Sequence, residues 1–136
     1  MEAFRIHNAA FAALDGTGAA LHGARWNPRG RAVVYAAASY EGALLEQLVH
    51  AGIGRLPRNR IVSRIHIPDT AGVDVARDLG AAFWQDERAT RGVGSAWLRA
   101  RTTVALVVPS AVARPYGRNV LLNPEHPAFA QVEVVE

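Results

Sequence analysis

The sequence predicts a single mixed α+β domain over residues 1–136, built on a small central sheet. Three observations predict it. Five or six short segments alternate or run apolar in the manner of strands, only a few stretches carry helical signals, and glycine and proline punctuate the rest. The regular exchange of strands with long helices that a doubly wound sheet needs is missing. Half of the 136 residues are hydrophobic and 20% are charged, which excludes disorder and supplies one core. Neither a linker nor an internal repeat is visible.

Taken in order, Ala3 to His7 alternates as a first strand, with Phe4 and Ile6 on one face and Arg5 on the other. Arg5 either lines a site or faces solvent. Asn8 to Leu21 is rich in alanine and glycine, and Asp15-Gly16 with Gly18 marks a turn or loop. Asn27, Pro28 and Gly30 break regular structure, so Arg25 and Trp26 are expected on a loop, where binding groups are commonly displayed. Ala32 to Ala37 is apolar except for the Tyr35 hydroxyl and reads as a strand buried on both faces.

Ser39 is placed to cap a helix from Tyr40 to about Ala51, with Glu41 in its first turn. Leu44, Leu45, Leu48 and Val49 define the expected buried stripe, and Glu46 lies off its centre. That is the position of an ordinary surface glutamate. Gly42, one turn earlier, weakens that reading, because glycine costs about 1 kcal/mol in a helix and would leave space beside the carboxylate. Gln47 and His50 read as solvated or capping groups.

Gly52, Gly54 and Pro57 end the helical region, and Arg60 to Ile67 alternates as a strand with Ile61, Ser63, Ile65 and Ile67 on one side. His66 reads as a polar edge residue. Val73 to Trp84 holds a short strand and a helical turn, and Ser95 to Ala100 a short helix with Trp97 and Leu98 in the core. Asp86 and Glu87 read as a solvated pair, since neighbouring side chains diverge. Thr102 to Val108 is β-branched and continuous, as in a central strand, and ends at Pro109-Ser110-Ala111. A serine there serves either as a ligand contact or as a turn cap. Val120 to Leu122 leads into Asn123-Pro124, and Ala130 to Val135 alternates as a last strand.

Composition excludes several chemistries. All fifteen basic residues are arginine, so a Schiff-base lysine and a phosphate-loop lysine are impossible. The absence of cysteine removes disulfides and thiolate ligands together, and fits a reducing compartment. The histidines are scattered without ligand spacing, so no metal site is expected. No apolar run is long enough to span a bilayer, and the N-terminus lacks signal-peptide blocks, so the chain reads as cytoplasmic. A pI near 10.2 suggests nucleic acid, but the formal charge is only +3. A nucleic-acid module built on Arg55, Arg58, Arg60 and Arg64 is the remote alternative, since no aromatics interleave with them.

What remains is the set Arg25, Tyr35, Glu46, Ser110 and Asn123, and it stands within recognisable motifs. Gly23-Ala24-Arg25-Trp26-Asn27-Pro28, Val34-Tyr35-Ala36, Ala43-Leu44-Leu45-Glu46, Val108-Pro109-Ser110-Ala111 and Leu121-Leu122-Asn123-Pro124 together resemble the RES domain family, in order and over nearly the whole chain. That family takes its name from an arginine, a glutamate and a serine, which fall on Arg25, Glu46 and Ser110; its tyrosine falls on Tyr35. Where the family commonly shows Gly-Gly before the arginine, this chain has Gly23-Ala24.

The resemblance implies a fold similar to ADP-ribosyltransferases and the toxin role of an Xre-RES toxin-antitoxin module. It implies NAD as the substrate rather than a bound cofactor, degraded by hydrolysis or phosphorolysis, or used in some relatives to modify a protein. On that implication Arg25, Tyr35, Glu46 and Ser110 are catalytic, and Arg25, Trp26, Tyr35, Ser110, Asn123 and Arg5 contact NAD. Glu46 would stabilise positive charge growing on the ribose. Arg25 would hold the pyrophosphate, and Tyr35 and Trp26 would stack on a ring. The implied partner is a cognate Xre-like antitoxin, through which alone nucleic acid would be reached. Phosphate is an alternative acceptor, and alanine-rich surface segments offer a homo-oligomer interface.

Overall fold

The computed structural model describes residues 1–51, 58–77 and 80–136. Gly52, Gly54, Arg55 and Pro57 of the sequence reading lie outside them. Seven strands form one sheet: β1 (Glu2–Asn8), β2 (Val34–Ala37), β3 (Arg60–His66), β4 (Val73–Val75), β5 (Ala105–Pro109), β6 (Arg118–Leu122) and β7 (Glu133–Val134). Their order across the sheet is β4-β5-β6-β2-β1-β3-β7. Only β4 and β5 pair in parallel; every other neighbour is antiparallel. Helices α1 (Thr17–His22), α2 (Tyr40–His50), α3 (Ala81–Gln85) and α4 (Glu87–Ala100), with two 3-10 helices at Asp69–Ala71 and Pro127–Gln131, complete the described elements. The expected α+β class is therefore observed. Among the described residues, no helix is long and apolar enough to cross a membrane.

Register decides which side chains share a face. Cross-strand partners point the same way, so Ala3, Ile65, Val34, Ala36, Val120, Leu122 and Ala105 make one apolar cluster. Tyr35, Leu121, Leu106 and Val108 lie on the opposite face, packed with Trp26, Trp84, Trp97 and Leu98 from the turn and from α3 and α4. Each large aliphatic side chain that is wholly buried, such as Ile65, Leu121 or Leu98, contributes about 1.5–3 kcal/mol.

Several boundaries differ from expectation for identifiable reasons. The short helix expected at Ser95–Ala100 is the end of α4, which begins at Glu87 because the Asp86 carboxylate caps it, accepting from the Arg88 and Ala89 N–H groups at 3.0 and 3.3 Å. Asp86 and Glu87 are thus a helix cap and a first-turn acid, both favoured there. Gly94 continues the helix because the Trp26 carbonyl packs where its Cβ would stand. β5 begins at Ala105 rather than Thr102. Arg101 closes α4 in the left-handed region at φ 53°, and the Thr103 hydroxyl is committed to the Trp97 indole N–H and the Ala105 carbonyl, both 3.0 Å away.

The Asn8–Leu21 stretch holds most of α1, and the first two residues of the last expected strand, Ala130 and Gln131, instead end a 3-10 helix, Pro127–Gln131, capped by His126 with proline at its start. Glu133–Val134 pairs against β3, and the Val135 N–H to Arg64 carbonyl and Arg64 N–H to Glu136 carbonyl hydrogen bonds, 2.8 and 2.9 Å, extend that contact. In β1, Ala3 and His7 are the buried residues of the face that Arg5 shares, while Phe4 and Ile6 are half-buried. In β3, Ile61 is exposed although Ser63, Ile65 and Ile67 are buried. The stripe expected on α2 is met only in part, with Leu44 and Leu48 half-buried. Ala43 is its buried residue, whereas Leu45 and Val49 are 38% and 51% exposed. What lies beneath α2 is a cavity rather than core.

Candidate active site

The turn that carries Arg25 is built around a buried asparagine. Ala24 and Asn27 exchange backbone hydrogen bonds of 3.0 and 3.3 Å, with Gly23 supplying a positive φ of 68°. The Asn27 amide N–H groups face the carbonyls of Ala19, Pro28 and Arg31 at 2.9, 3.0 and 2.9 Å. Its two hydrogens are thus shared among three acceptors. The Tyr35 hydroxyl donates to Asn27 Oδ1 at 2.6 Å and accepts the Trp26 N–H at 3.1 Å. The sequence reading took Asn27 only as a breaker of regular structure; here it organises the turn.

Helix α4 secures the turn from the other side. Thr90 Oγ1 donates to the Arg25 carbonyl at 2.6 Å. The Arg25 guanidinium donates from Nη1 to the Trp84 carbonyl at 2.8 Å, and Nη2 lies 3.8 Å from Glu87 Oε1. Trp26 is buried with its ring tilted against Trp84, centroids 5.3 Å apart. Burial pushes the Tyr35 phenol up to about 12, against the Trp26 hydrogen bond and the nearby Arg25 charge.

Across from this turn, α2 presents Glu46. Its Oε1 accepts from Ser110 Oγ at 3.0 Å and from Asn119 Nδ2 at 3.0 Å. Its Oε2 lies 3.3 Å from His50 Nε2, one helical turn along, and the side chain is 22% exposed. Ser110 is buried and its hydroxyl also accepts the Ala113 N–H at 3.2 Å, so the serine is itself fixed. Glu46 therefore does not point into bulk solvent.

The two sides enclose a cavity of about 310 Å³. Its lining includes Arg25, Trp26, Tyr35, Glu46, Asn119 and Arg5. Arg25, Tyr35 and Glu46 thus border one space, and Ser110 reaches it through Glu46. Arg5 reaches it too, but its guanidinium donates to the Ala13 and Asp15 carbonyls, and its partial burial lowers its pKa despite the nearby Asp15 charge. Asn123 is elsewhere: its amide N–H contacts the Leu98 carbonyl at 3.4 Å and its Oδ1 accepts the Glu125 N–H at 3.0 Å, fixing the segment after β6.

Gln47 and His50, read as solvated or capping groups, line the mouth of the cavity, and the His50 side chain is 73% exposed. Gly42 does not open space beside the carboxylate. A Cβ there would stand 3.0 Å from Ser39 Oγ and 3.5 Å from Ala37 Cβ, so its role is close approach at the helix start. The sequence signal for Asn119 was an asparagine directly before the apolar run Val120–Leu122. Of the arginines considered for nucleic acid, Arg64 pairs with Glu136 at 2.8 Å and Glu2 at 3.8 Å, and Arg58 is exposed. Among the described residues, no three acidic or imidazole groups cluster to hold a metal ion.

Comparison with known proteins gives the family of the chain. The family model described as "RES domain" matches residues 2–136. A protein of Sphingobium sp. named "Prs ADP-ribosylating toxin" is 42% identical over 120 residues, covering 84% of this chain and 74% of that protein. A "Toxin Res" of Pseudomonas putida is 39% identical over 127 residues, covering 92% and 87%. Among solved structures, the crystal structure of the M. tuberculosis MbcT-MbcA toxin-antitoxin complex contains a chain of the same fold. That chain superposes with a TM-score of 0.82 at 19% identity, over 100% of this chain and 81% of its own. The chain belongs to the RES domain family.

Proposed function

We propose that this protein is the toxin of a toxin-antitoxin module and that it consumes NAD by breaking the bond between nicotinamide and ribose. The observation that carries this reading is the Glu46 carboxylate, held by Ser110 and Asn119 at the edge of a cavity that Arg25 and Tyr35 also border. As the glycosidic bond breaks, its electron pair passes to the pyridinium nitrogen and nicotinamide leaves neutral, so no general acid is required. Positive charge develops at the ribose C1′ and O4′. A preorganised carboxylate there stabilises the transition state more than the bound substrate. The acceptor then forms a bond to C1′ and releases its proton to solvent.

Arg25 suits the pyrophosphate, with Tyr35 offering a ring surface, whereas Trp26, 2% exposed and packed on Trp84, serves to hold the turn. A cavity near the lower end of the usual range for ligand sites fits the nicotinamide riboside half, leaving the adenylate half outside. The test is direct. Purified protein, free of any partner, is incubated with NAD and free nicotinamide is followed with and without inorganic phosphate. Release is expected, and its phosphate dependence identifies the acceptor; intact NAD after prolonged incubation contradicts the reading.

A second reading, transfer of ADP-ribose to a protein, is favoured by the Sphingobium relative's name. NAD labelled on the adenylate half separates the two: label on a protein band supports transfer, and label confined to small molecules supports hydrolysis or phosphorolysis. The solved neighbour's title supports a protein antitoxin as partner.

A further inference from the structure

We propose that Asn119 is a positioning residue for the Glu46 carboxylate, which it and Ser110 hold by one oxygen. The proposal rests on the reading of Glu46 as the group that faces the ribose. β6 is an interior strand, between β5 and β2. Such strands favour β-branched and aromatic residues and disfavour asparagine. Register sets Asn119 between Val108 of β5 and Ala37 of β2, and Ala37 opposite Phe4 of β1. Phe4, Ala37, Asn119 and Val108 thus form one row across four strands, on the cavity face of the sheet. An apolar side chain would suit that row. A local rule broken without a packing gain points to a functional demand.

Asn119 Nδ2 meets that demand by donating to Glu46 Oε1 at 3.0 Å, where Ser110 Oγ also donates at 3.0 Å. One donor comes from a strand interior and the other from the end of the neighbouring strand, so both ride on the sheet. Rigid supports of this kind hold reacting groups within the tolerance that catalysis needs. The carboxylate otherwise turns freely about its own side-chain bonds. The other polar residues lining this space are Gln47 and His50 on α2, Arg25 and Tyr35 across the cavity, and Arg5 on β1, whose guanidinium is committed to the Ala13 and Asp15 carbonyls. Of these, His50 approaches the other oxygen, Oε2. Without Asn119, Ser110 alone opposes a swing of the carboxylate toward His50.

The experiment compares wild type, Asn119→Ala, Asn119→Asp, Glu46→Gln and the Asn119→Ala/Glu46→Gln double variant, measuring kcat and KM for NAD by nicotinamide release. Asn119→Ala is expected to lower kcat by about tenfold to a hundredfold, with KM changed by less than about twofold. Asn119→Asp keeps the volume but replaces the donor with a carboxylate, so it should lose at least as much. In the Glu46→Gln background, Asn119→Ala should cost nothing further. Wild-type rates in Asn119→Asp, or an equal loss in both backgrounds, would overturn the proposal.

A second readout does not need activity. Thermal unfolding of Asn119→Ala, Glu46→Ala and their double variant should show coupling of about 3 °C in Tm, the single losses exceeding the double. Strictly additive losses would overturn the hydrogen-bonded clamp itself. Absence of nicotinamide release by wild type, with coupling intact, would instead refute the enzymatic reading.

Discussion

The Arg25 turn and the Glu46 clamp are both polar networks bordering one cavity, and they differ in what they leave open. In the turn, Asn27 is fully buried, and both its amide nitrogen and its oxygen are committed to the Ala19, Pro28, Arg31 and Tyr35 groups. In the clamp, both neutral donors fall on Oε1, and the neighbour of Oε2 is an imidazole whose side chain is 73% exposed. A closed network specifies architecture, because any missing member leaves a buried group unpaired. A network held by one oxygen keeps the other for chemistry. On the proposed reading, the same kinds of residue fix a frame on one side and leave a reacting oxygen open on the other.

The contrast breaks most severely at Gly94. Any side chain there meets the Trp26 carbonyl, which is backbone and cannot swing away. Gly94→Ala is expected to force α4 off the turn and cost about 4 kcal/mol or more, seen as a large fall in Tm or loss of soluble protein. Asn27→Ala strands the Tyr35 hydroxyl and the buried carbonyls around it, at a cost of about 3 kcal/mol in chemical denaturation. Activity at low temperature should fall too, because Arg25 and Trp26 lose their frame.

Tyr35→Phe leaves Asn27 Oδ1 and the Trp26 N–H without their shared hydroxyl, for about 2 kcal/mol. It also carries a pH signature. The folded phenol titrates near 12, above its ordinary 10, so the folded state holds the proton more tightly. The stability this contributes is complete below pH 10 and is lost as pH rises through about 12, amounting to at most about 2–3 kcal/mol. Denaturation from pH 9 to 12 should show that decline in wild type and a shallower one in Tyr35→Phe.

The smallest effect is expected at His50. Its imidazole is largely in solvent, and exposed pairs contribute less than about 1 kcal/mol. His50→Ala should change kcat by less than about fivefold; a larger loss would make His50 a working part of the clamp.

Local signals were legible in the chain. Ser39 caps α2 through the Gly42 N–H at 3.0 Å, and the apolar runs around Tyr35 and Val108 are central strands. The positions of Arg25, Tyr35 and Glu46 came from motif resemblance, and the structure brings them to one cavity. What was not legible is what depends on distance along the chain. Ser110 and Asn119 lie 64 and 73 residues from the carboxylate they hold, and no local pattern encodes such contacts. The α2 stripe misled for a related reason. Periodicity assumes core beneath a helix, whereas here Glu46 and Gln47 face a cavity and Leu45 and Val49 face outward. Asp86 shows a readable signal passed over: an acidic cap preceding a run that two glycines made look unlike a helix.

The most direct measurement of the central claim takes one preparation of Glu46→Gln and determines both its affinity for NAD and its rate of nicotinamide release. The amide keeps the shape and loses the charge. The account predicts NAD bound within a few-fold of wild type, an unchanged Tm within about 2 °C, and release slowed by about two to three decades. Release at the wild-type rate from a variant that binds NAD normally would contradict it.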